Sequence, residues 1–61
     1  MKNTLFYIDE LYGFLGEFAE EYDIDGIIEE TTFIDYETQM RYWNDIDEVE
    51  LWEICQEHYL S

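Results

Sequence analysis

Residues 32–43 read TFIDYETQMRYW, and this stretch decides between an all-helical chain and one that also contains strands. Its alternation divides the side chains into two sets: Ile34, Tyr36, Thr38, Met40 and Tyr42 against Phe33, Asp35, Glu37, Gln39, Arg41 and Trp43. β-Branched and aromatic residues on both sides of a polar centre are typical of a short β-hairpin. The alternative is a helix capped by Asp35, with Glu37 and Arg41 paired at i,i+4. We favour the hairpin.

The segment before it has the spacing of an amphipathic helix. Apolar residues recur at intervals of three, four and seven from Leu5 to Tyr22, which predicts a helix over residues 5–22 capped by Asn3 or Thr4. Gly13, Gly16 and Ala19 form a row of small residues on it, which we interpret as a packing notch. A short second helix is predicted over residues 26–32.

Residues 20–32, EEYDIDGIIEETT, partly match a calcium-binding EF-hand loop. With Gly26 at loop position 6, Asp23 and Asp25 occupy positions 3 and 5. Position 12 is then Thr32, which cannot supply the bidentate carboxylate that closes the coordination sphere. We therefore expect no metal site. We interpret the segment as a helix junction, in which Asp23 or Asp25 is the N-cap of the second helix.

The segment after residue 43 predicts one more helix. Asp45 and Glu48 have the spacing of a capping box, and the helix is expected over residues 46–59. Its inward stripe is predicted to comprise Leu51, Trp52, Cys55, His58 and Tyr59. The chain of 61 residues is therefore expected to form a single domain, residues 1–61, with an α+β, predominantly helical fold.

Catalytic chemistry has little support in this sequence. Cys55 and His58 lie on one side of the last helix, where a Cys–His dyad is conceivable, but both belong to its apolar stripe and are better explained as core residues. The single cysteine excludes an intramolecular disulfide. No glycine-rich phosphate loop, histidine pair or basic cluster is present. We expect a non-enzyme without a cofactor, and a cytoplasmic protein, since no targeting segment or long apolar run occurs.

Charge is the unusual property of the chain. Seventeen Asp and Glu residues stand against two Lys and Arg, giving a formal net charge of −15. Such a chain repels nucleic acid and anionic membranes, and it attracts a cationic partner. Twelve aromatic residues argue against a disordered acidic tail. The predicted partner-binding residues are the outward acids Glu17, Glu20, Glu21, Asp23, Asp25, Glu29, Glu30, Asp47, Glu50, Glu53 and Glu57.

In size, aromatic content and acidic helical segments such as EFAEEYDID and NDIDEVELWEICQEH, the chain resembles small DNA-mimic inhibitors of phages and mobile elements, of the anti-CRISPR or anti-restriction type. These proteins share a charge pattern and no diagnostic motif. The resemblance implies a bacterial host and a protein, monomeric or a small homo-oligomer, that occupies the basic duplex- and PAM-binding groove of a DNA-binding or CRISPR effector complex. The alternative is a small acidic regulatory or antitoxin-like module that binds a basic partner without mimicking DNA.

Overall fold

The computed structural model describes residues 4–60. Their elements, in chain order, are helix α1 (Ile8–Leu15), a 3₁₀ helix (Gly16–Glu21), helix α2 (Ile24–Thr31), strands β1 (Thr32–Asp35) and β2 (Met40–Trp43), and helix α3 (Glu48–Glu57). The two strands form an antiparallel hairpin. The predicted α+β, predominantly helical fold is confirmed. No helix within residues 4–60 is long and apolar enough to cross a membrane.

The first predicted helix, residues 5–22, is wrong at both ends. Gly16 ends α1 with φ 62° and ψ −136°, a backbone conformation available almost only to glycine, and the chain continues as the 3₁₀ helix. Residues 5–7 precede the helix and are not part of it. Thr4 does not cap α1; its carbonyl accepts a hydrogen bond from the Trp43 amide at 2.8 Å, and Leu5 bridges to Tyr42. Asn3, the other predicted cap, lies outside the described residues.

The hairpin is confirmed, and the helical alternative for residues 32–43 is wrong. The turn contains an Asx hydrogen bond from the Glu37 amide to the Asp35 carboxylate at 2.9 Å, and it ends at Gln39, whose φ is 62°. The turn spans four residues, so pairing aligns Phe33 with Tyr42 and Ile34 with Arg41. The predicted division into two sides therefore fails across the turn. Phe33 and Tyr42 share one face, with ring centroids 5.9 Å apart.

The helix junction at residues 20–32 is confirmed, and of the two predicted caps Asp23, not Asp25, is the N-cap of α2. Its carboxylate accepts a hydrogen bond from the Gly26 amide at 3.3 Å. The predicted bounds 26–32 are wrong, because α2 begins at Ile24 and Thr32 already belongs to β1.

The predicted cap of the last helix is wrong: Asp47, and not Asp45, accepts from the Glu50 amide at 2.8 Å. The predicted bounds 46–59 are also wrong, because the helix spans Glu48–Glu57. The Ile46 amide donates to the Asn44 carbonyl in a tight turn, and this delays the start of the helix.

The core lies where the hairpin and the helices meet. Its buried residues include Leu11, Ile27, Trp43, Leu51 and Cys55, all with no exposed surface. The chain end is held by backbone hydrogen bonds from the Asp23 amide to the His58 carbonyl and from the Leu60 amide to the Glu21 carbonyl, both 2.8 Å. These bonds bring residues 58–60 alongside the junction that precedes α2.

The predicted inward stripe of α3 is only partly correct. Leu51 and Cys55 are buried, and His58 is half-buried. Trp52 and Tyr59 remain 47% and 44% exposed, so they are surface residues and not core residues. The small-residue notch is wrong at Gly13 and Gly16, which are exposed and where a Cβ would meet nothing within 4 Å. Ala19, the third residue of the predicted row, is buried in the core.

Candidate functional site

The acidic side chains are concentrated on two parts of the chain. Seven lie between Glu17 and Glu30, and six lie between Asp45 and Glu57. Of the eleven acids predicted to bind a partner, Asp23 is half-buried and the other ten are exposed. The structure therefore presents most of this set to solvent, on the 3₁₀ helix, α2 and α3.

Helical spacing arranges these exposed acids in rows. Residues three or four apart lie about 5–6 Å from one another on the surface of an α-helix, and residues three apart are eclipsed in a 3₁₀ helix. We call the following residues the acidic rows: Glu17 and Glu20 on the 3₁₀ helix, Asp25 and Glu29 on α2, and Glu50, Glu53 and Glu57 on α3. Because α2 packs against α3, two of the rows belong to neighbouring helices.

Few cations are available to neutralise the rows. The Arg41 guanidinium donates to the Thr32 hydroxyl at 2.8 Å, and Lys2 lies outside the described residues. Within residues 4–60, both contacts of less than 4.0 Å between a carboxylate oxygen and a nitrogen of a basic side chain are made by His58. None of the three α-helices carries a basic residue in its last turn. Glu29 and Glu57 lie near the C-terminal ends of α2 and α3, where the helix macrodipole disfavours a negative charge.

Three of the predicted acids have roles in the fold itself. Asp23 and Asp47 are the N-caps of α2 and α3. The Glu30 carboxylate is hydrogen-bonded to the His58 imidazole at 2.8 Å, between Oε1 and Nε2. Replacing these three side chains would change stability as well as surface charge, so they are poor probes of partner binding.

His58 lies at the centre of the junction between α2 and the chain end. Its Nδ1 is 3.6 Å from Asp23 Oδ2, and its Nε2 faces Glu30. The ring lies against Gly26, where an added Cβ would be 2.7 Å from its Cε1 and Nδ1 atoms. The sequence pattern did not reveal this contact, because the contact forms only when the tertiary fold places residue 58 beside the start of α2.

Cys55 and His58 do not form the arrangement of a nucleophile and its base. The Cys55 thiol has no exposed surface, and burial raises its pKa above the ordinary value. A raised pKa keeps the thiol protonated, whereas the thiolate is the nucleophilic form. Both ring nitrogens of His58 face carboxylates. The prediction that Cys55 is a core residue is confirmed.

An open groove lies between the 3₁₀ helix and α3. It has a volume of about 500 Å³ and is lined by Phe18, Glu21, Tyr22, Trp52, Gln56 and Tyr59. We call it the aromatic groove. Sequence reasoning missed it because its aromatic residues have the same helical spacing as the core residues beside them. The helical spacing alone does not tell which of them stays at the surface.

Metal chemistry has no support in the described part of the chain: within residues 4–60, no three His, Cys, Asp or Glu side chains lie close enough together to hold an ion. The chain matches no model of a known protein family, no curated protein and no solved structure. A functional assignment therefore depends on the geometry and charge of the chain itself.

Proposed function

We propose that the protein inhibits a host DNA-binding defence complex by acting as a DNA mimic. Its acidic surface occupies the basic groove in which the complex binds duplex DNA and reads the protospacer-adjacent motif, and target DNA is excluded. The observation that carries this proposal is the set of acidic rows, which are exposed on the helices and have almost no neighbouring cation among residues 4–60.

The carboxylates of the acidic rows are anionic hydrogen-bond acceptors, as are the phosphates that a DNA-binding groove contacts. Such grooves contact phosphates through Lys and Arg, and these side chains also form charge-assisted hydrogen bonds with carboxylates, which are often bidentate for Arg. Each strand of duplex DNA carries one charge per about 3.4 Å of helix axis, and helical rows place the Cβ atoms of the acidic residues about 5–6 Å apart, a spacing of the same order as along one strand. A net charge of −15 also accelerates encounter with a basic surface at low salt.

The cost of the acids to the fold also supports a partner. Like charges at i,i+4 destabilise a helix by a few tenths of a kcal/mol per pair, and acids near helix C-termini add to that. Glu29 and Glu57 are disfavoured in both respects, since each also follows an acid four residues earlier. A modest excess of acid would suffice for solubility. A cationic partner accounts for the acids that exceed this requirement and that destabilise the fold.

The test is competition with DNA. The tagged protein is used to isolate its partner complex from bacterial lysate, and binding to the purified complex is measured with increasing duplex DNA that carries the target site. We expect the two to exclude each other, and we expect the affinity of the protein to fall steeply between about 50 and 200 mM salt. Binding that leaves the DNA affinity of the complex unchanged would refute mimicry and favour a regulatory module for a basic partner.

Position can be separated from overall charge by a matched pair of variants. Reversal of Glu29, Glu53 and Glu57 to lysine is expected to weaken binding about tenfold or more, because several row positions are lost together. Reversal of Glu10, Glu37 and Asp45 changes net charge by the same amount outside the predicted set. Circular dichroism verifies that both triple variants fold. Equal loss in the two would show that only net charge matters.

A further inference from the structure

We propose that the aromatic groove accepts an arginine side chain of the partner protein. This inference rests on the proposed function, because it names a group that a basic DNA-binding surface would insert. It adds a specific anchor to a surface otherwise described only by its charge. The anchor lies next to the acidic rows, since the 3₁₀ helix and α3 carry both.

The walls of the groove are aromatic faces held in position by neighbouring side chains. The rings of Tyr22 and Tyr59 have centroids 5.2 Å apart at 54°. The Trp52 indole packs edge to face on Phe14, with centroids 6.1 Å apart, which supports the indole from the side of the core. Phe18 completes the lining and is 60% exposed. Aromatic faces attract a cation placed within about 6 Å of the ring centre, and Trp does so most strongly.

The polar groups of the groove include a negative charge and hydrogen-bond acceptors, which a cation with N–H groups requires. The Glu21 carboxylate belongs to the lining, and its Oε1 accepts from the Tyr59 hydroxyl at 3.5 Å. The Gln56 amide donates to the Tyr22 hydroxyl at 3.1 Å, which holds that ring in place and leaves the amide oxygen available as an acceptor. A carboxylate and an amide oxygen beside aromatic faces can satisfy the N–H groups of a cation that enters.

The chemistry of the groove selects among possible occupants. A nucleotide or an acidic peptide would be repelled by Glu21 and by the net charge of −15. A purely apolar side chain would remove the Glu21 carboxylate from water without supplying a cation to compensate its charge. Arginine fits better than lysine, because its planar and weakly hydrated guanidinium stacks on aromatic rings and presents a fork of N–H donors to a carboxylate.

The two tryptophans provide a built-in probe and control. Trp52 lines the groove, whereas Trp43 is buried with no exposed surface. The ¹⁵N-labelled protein is titrated with N-acetyl-arginine amide, and the two indole N–H signals are followed by NMR. We expect the Trp52 signal to shift and saturate in the millimolar range while the Trp43 signal stays in place. The neutral isostere N-acetyl-citrulline amide should bind at least fivefold more weakly. Equal shifts with both probes, or none, would overturn the inference.

Variants then connect the groove to the partner complex. Glu21→Gln and Phe18→Ala are expected to weaken arginine binding at least threefold while keeping Trp52 as reporter. Trp52→Ala should weaken binding to the partner complex at least fivefold. Its matched control is Tyr36→Ala, which removes an aromatic residue that is 85% exposed and lies outside the groove, and which should have no effect. Equal affinities of the two alanine variants would also overturn the inference.

The outcomes for the two proposals are distinguishable. If target DNA competes with the protein but arginine does not bind the groove, the groove inference fails and DNA mimicry stands. If arginine binds and Trp52→Ala weakens the complex but DNA does not compete, mimicry fails and the groove is the anchor of another kind of basic interface.

Discussion

Substituting Gly26 by alanine tests the packing between α2 and the returning chain end. Gly26 lies in the first turn of α2, where alanine would normally be the better helix former by about 0.5–1 kcal/mol. An added Cβ would lie 2.5 Å from Asp23 Oδ2 and 2.7 Å from two atoms of the His58 ring. The carboxylate and the imidazole therefore have to move.

The expected cost follows from the contacts that this movement breaks. Displacing the Asp23 carboxylate weakens an N-cap worth about 1 kcal/mol. Moving the imidazole disrupts the hydrogen bond between His58 and Glu30, worth about 0.5–1 kcal/mol at a partly exposed site. The His58 backbone cannot move away from α2 to relieve the contact, because its carbonyl accepts a hydrogen bond from the Asp23 amide at 2.8 Å. After the gain in helix propensity, Gly26→Ala should destabilise the protein by about 1 kcal/mol.

Thermal unfolding followed by circular dichroism measures this effect. A loss of about 1 kcal/mol should lower Tm by about 4–8 °C in a domain of this size. Gly13→Ala is the matched control, because Gly13 lies within α1 and its added Cβ meets nothing within 4 Å. It should raise stability by about 0.5–1 kcal/mol. In a His58→Ala background, the penalty at Gly26 should largely disappear. If Gly26→Ala raised Tm as Gly13→Ala does, the close approach of His58 would be refuted.

Three further predictions concern the backbone, the charges and the core. Gly16→Ala should destabilise by about 1–3 kcal/mol in urea unfolding, because φ 62° with ψ −136° strains any residue that has a Cβ; an unchanged midpoint would contradict this. Tm should rise between about 10 and 300 mM sodium chloride as carboxylate repulsion is screened, and a fall would contradict the account of the unpaired acids.

The third prediction uses the Cys55 thiol, whose pKa burial raises above the ordinary 9.0. Because the folded pKa is the higher one, this stability contribution is fully present below the pKa of the unfolded thiol and is lost as pH rises through the folded pKa. Unfolding free energy should therefore decline more steeply above about pH 9 in wild type than in Cys55→Ala. Identical slopes in the two proteins would contradict the burial of the thiol.

Local signals in the sequence were sufficient for much of the fold. β-Branched and aromatic residues on both sides of a polar centre correctly predicted the hairpin, although burial does not alternate along either strand. Two aspartates beside Gly26 located the junction before α2, since capping is a local hydrogen bond, but the sequence did not decide between Asp23 and Asp25.

The same reasoning predicted the wrong cap for α3, because Asp45 and Asp47 have the same side chain and lie two residues apart. The turn in which the Ile46 amide donates to the Asn44 carbonyl places the start of the helix after Asp47.

Other features depended on residues far apart in the chain. The apolar spacing that begins at Leu5 predicted a helix from that residue, and it is the pairing of residues 4–6 with β2 that keeps them out of the helix. Phe18, Trp52 and Tyr59 have the spacing of core residues, yet they line an open groove. The acids, in contrast, were placed correctly at the surface with the half-buried Asp23 as the exception, because an unpaired carboxylate is too costly to bury.

The sequence by itself determined the class of fold, the presence of a helix junction within residues 20–32 and a surface dominated by carboxylates, because each depends on short-range geometry or on the hydration of single side chains. Tertiary structure decided where the first helix ends, which aspartate caps the last one, why Gly26 must be glycine and which aromatic residues stay exposed. A chain of 61 residues has more large apolar side chains than its small core can enclose. Competition for that limited volume, which no local pattern records, created the aromatic groove.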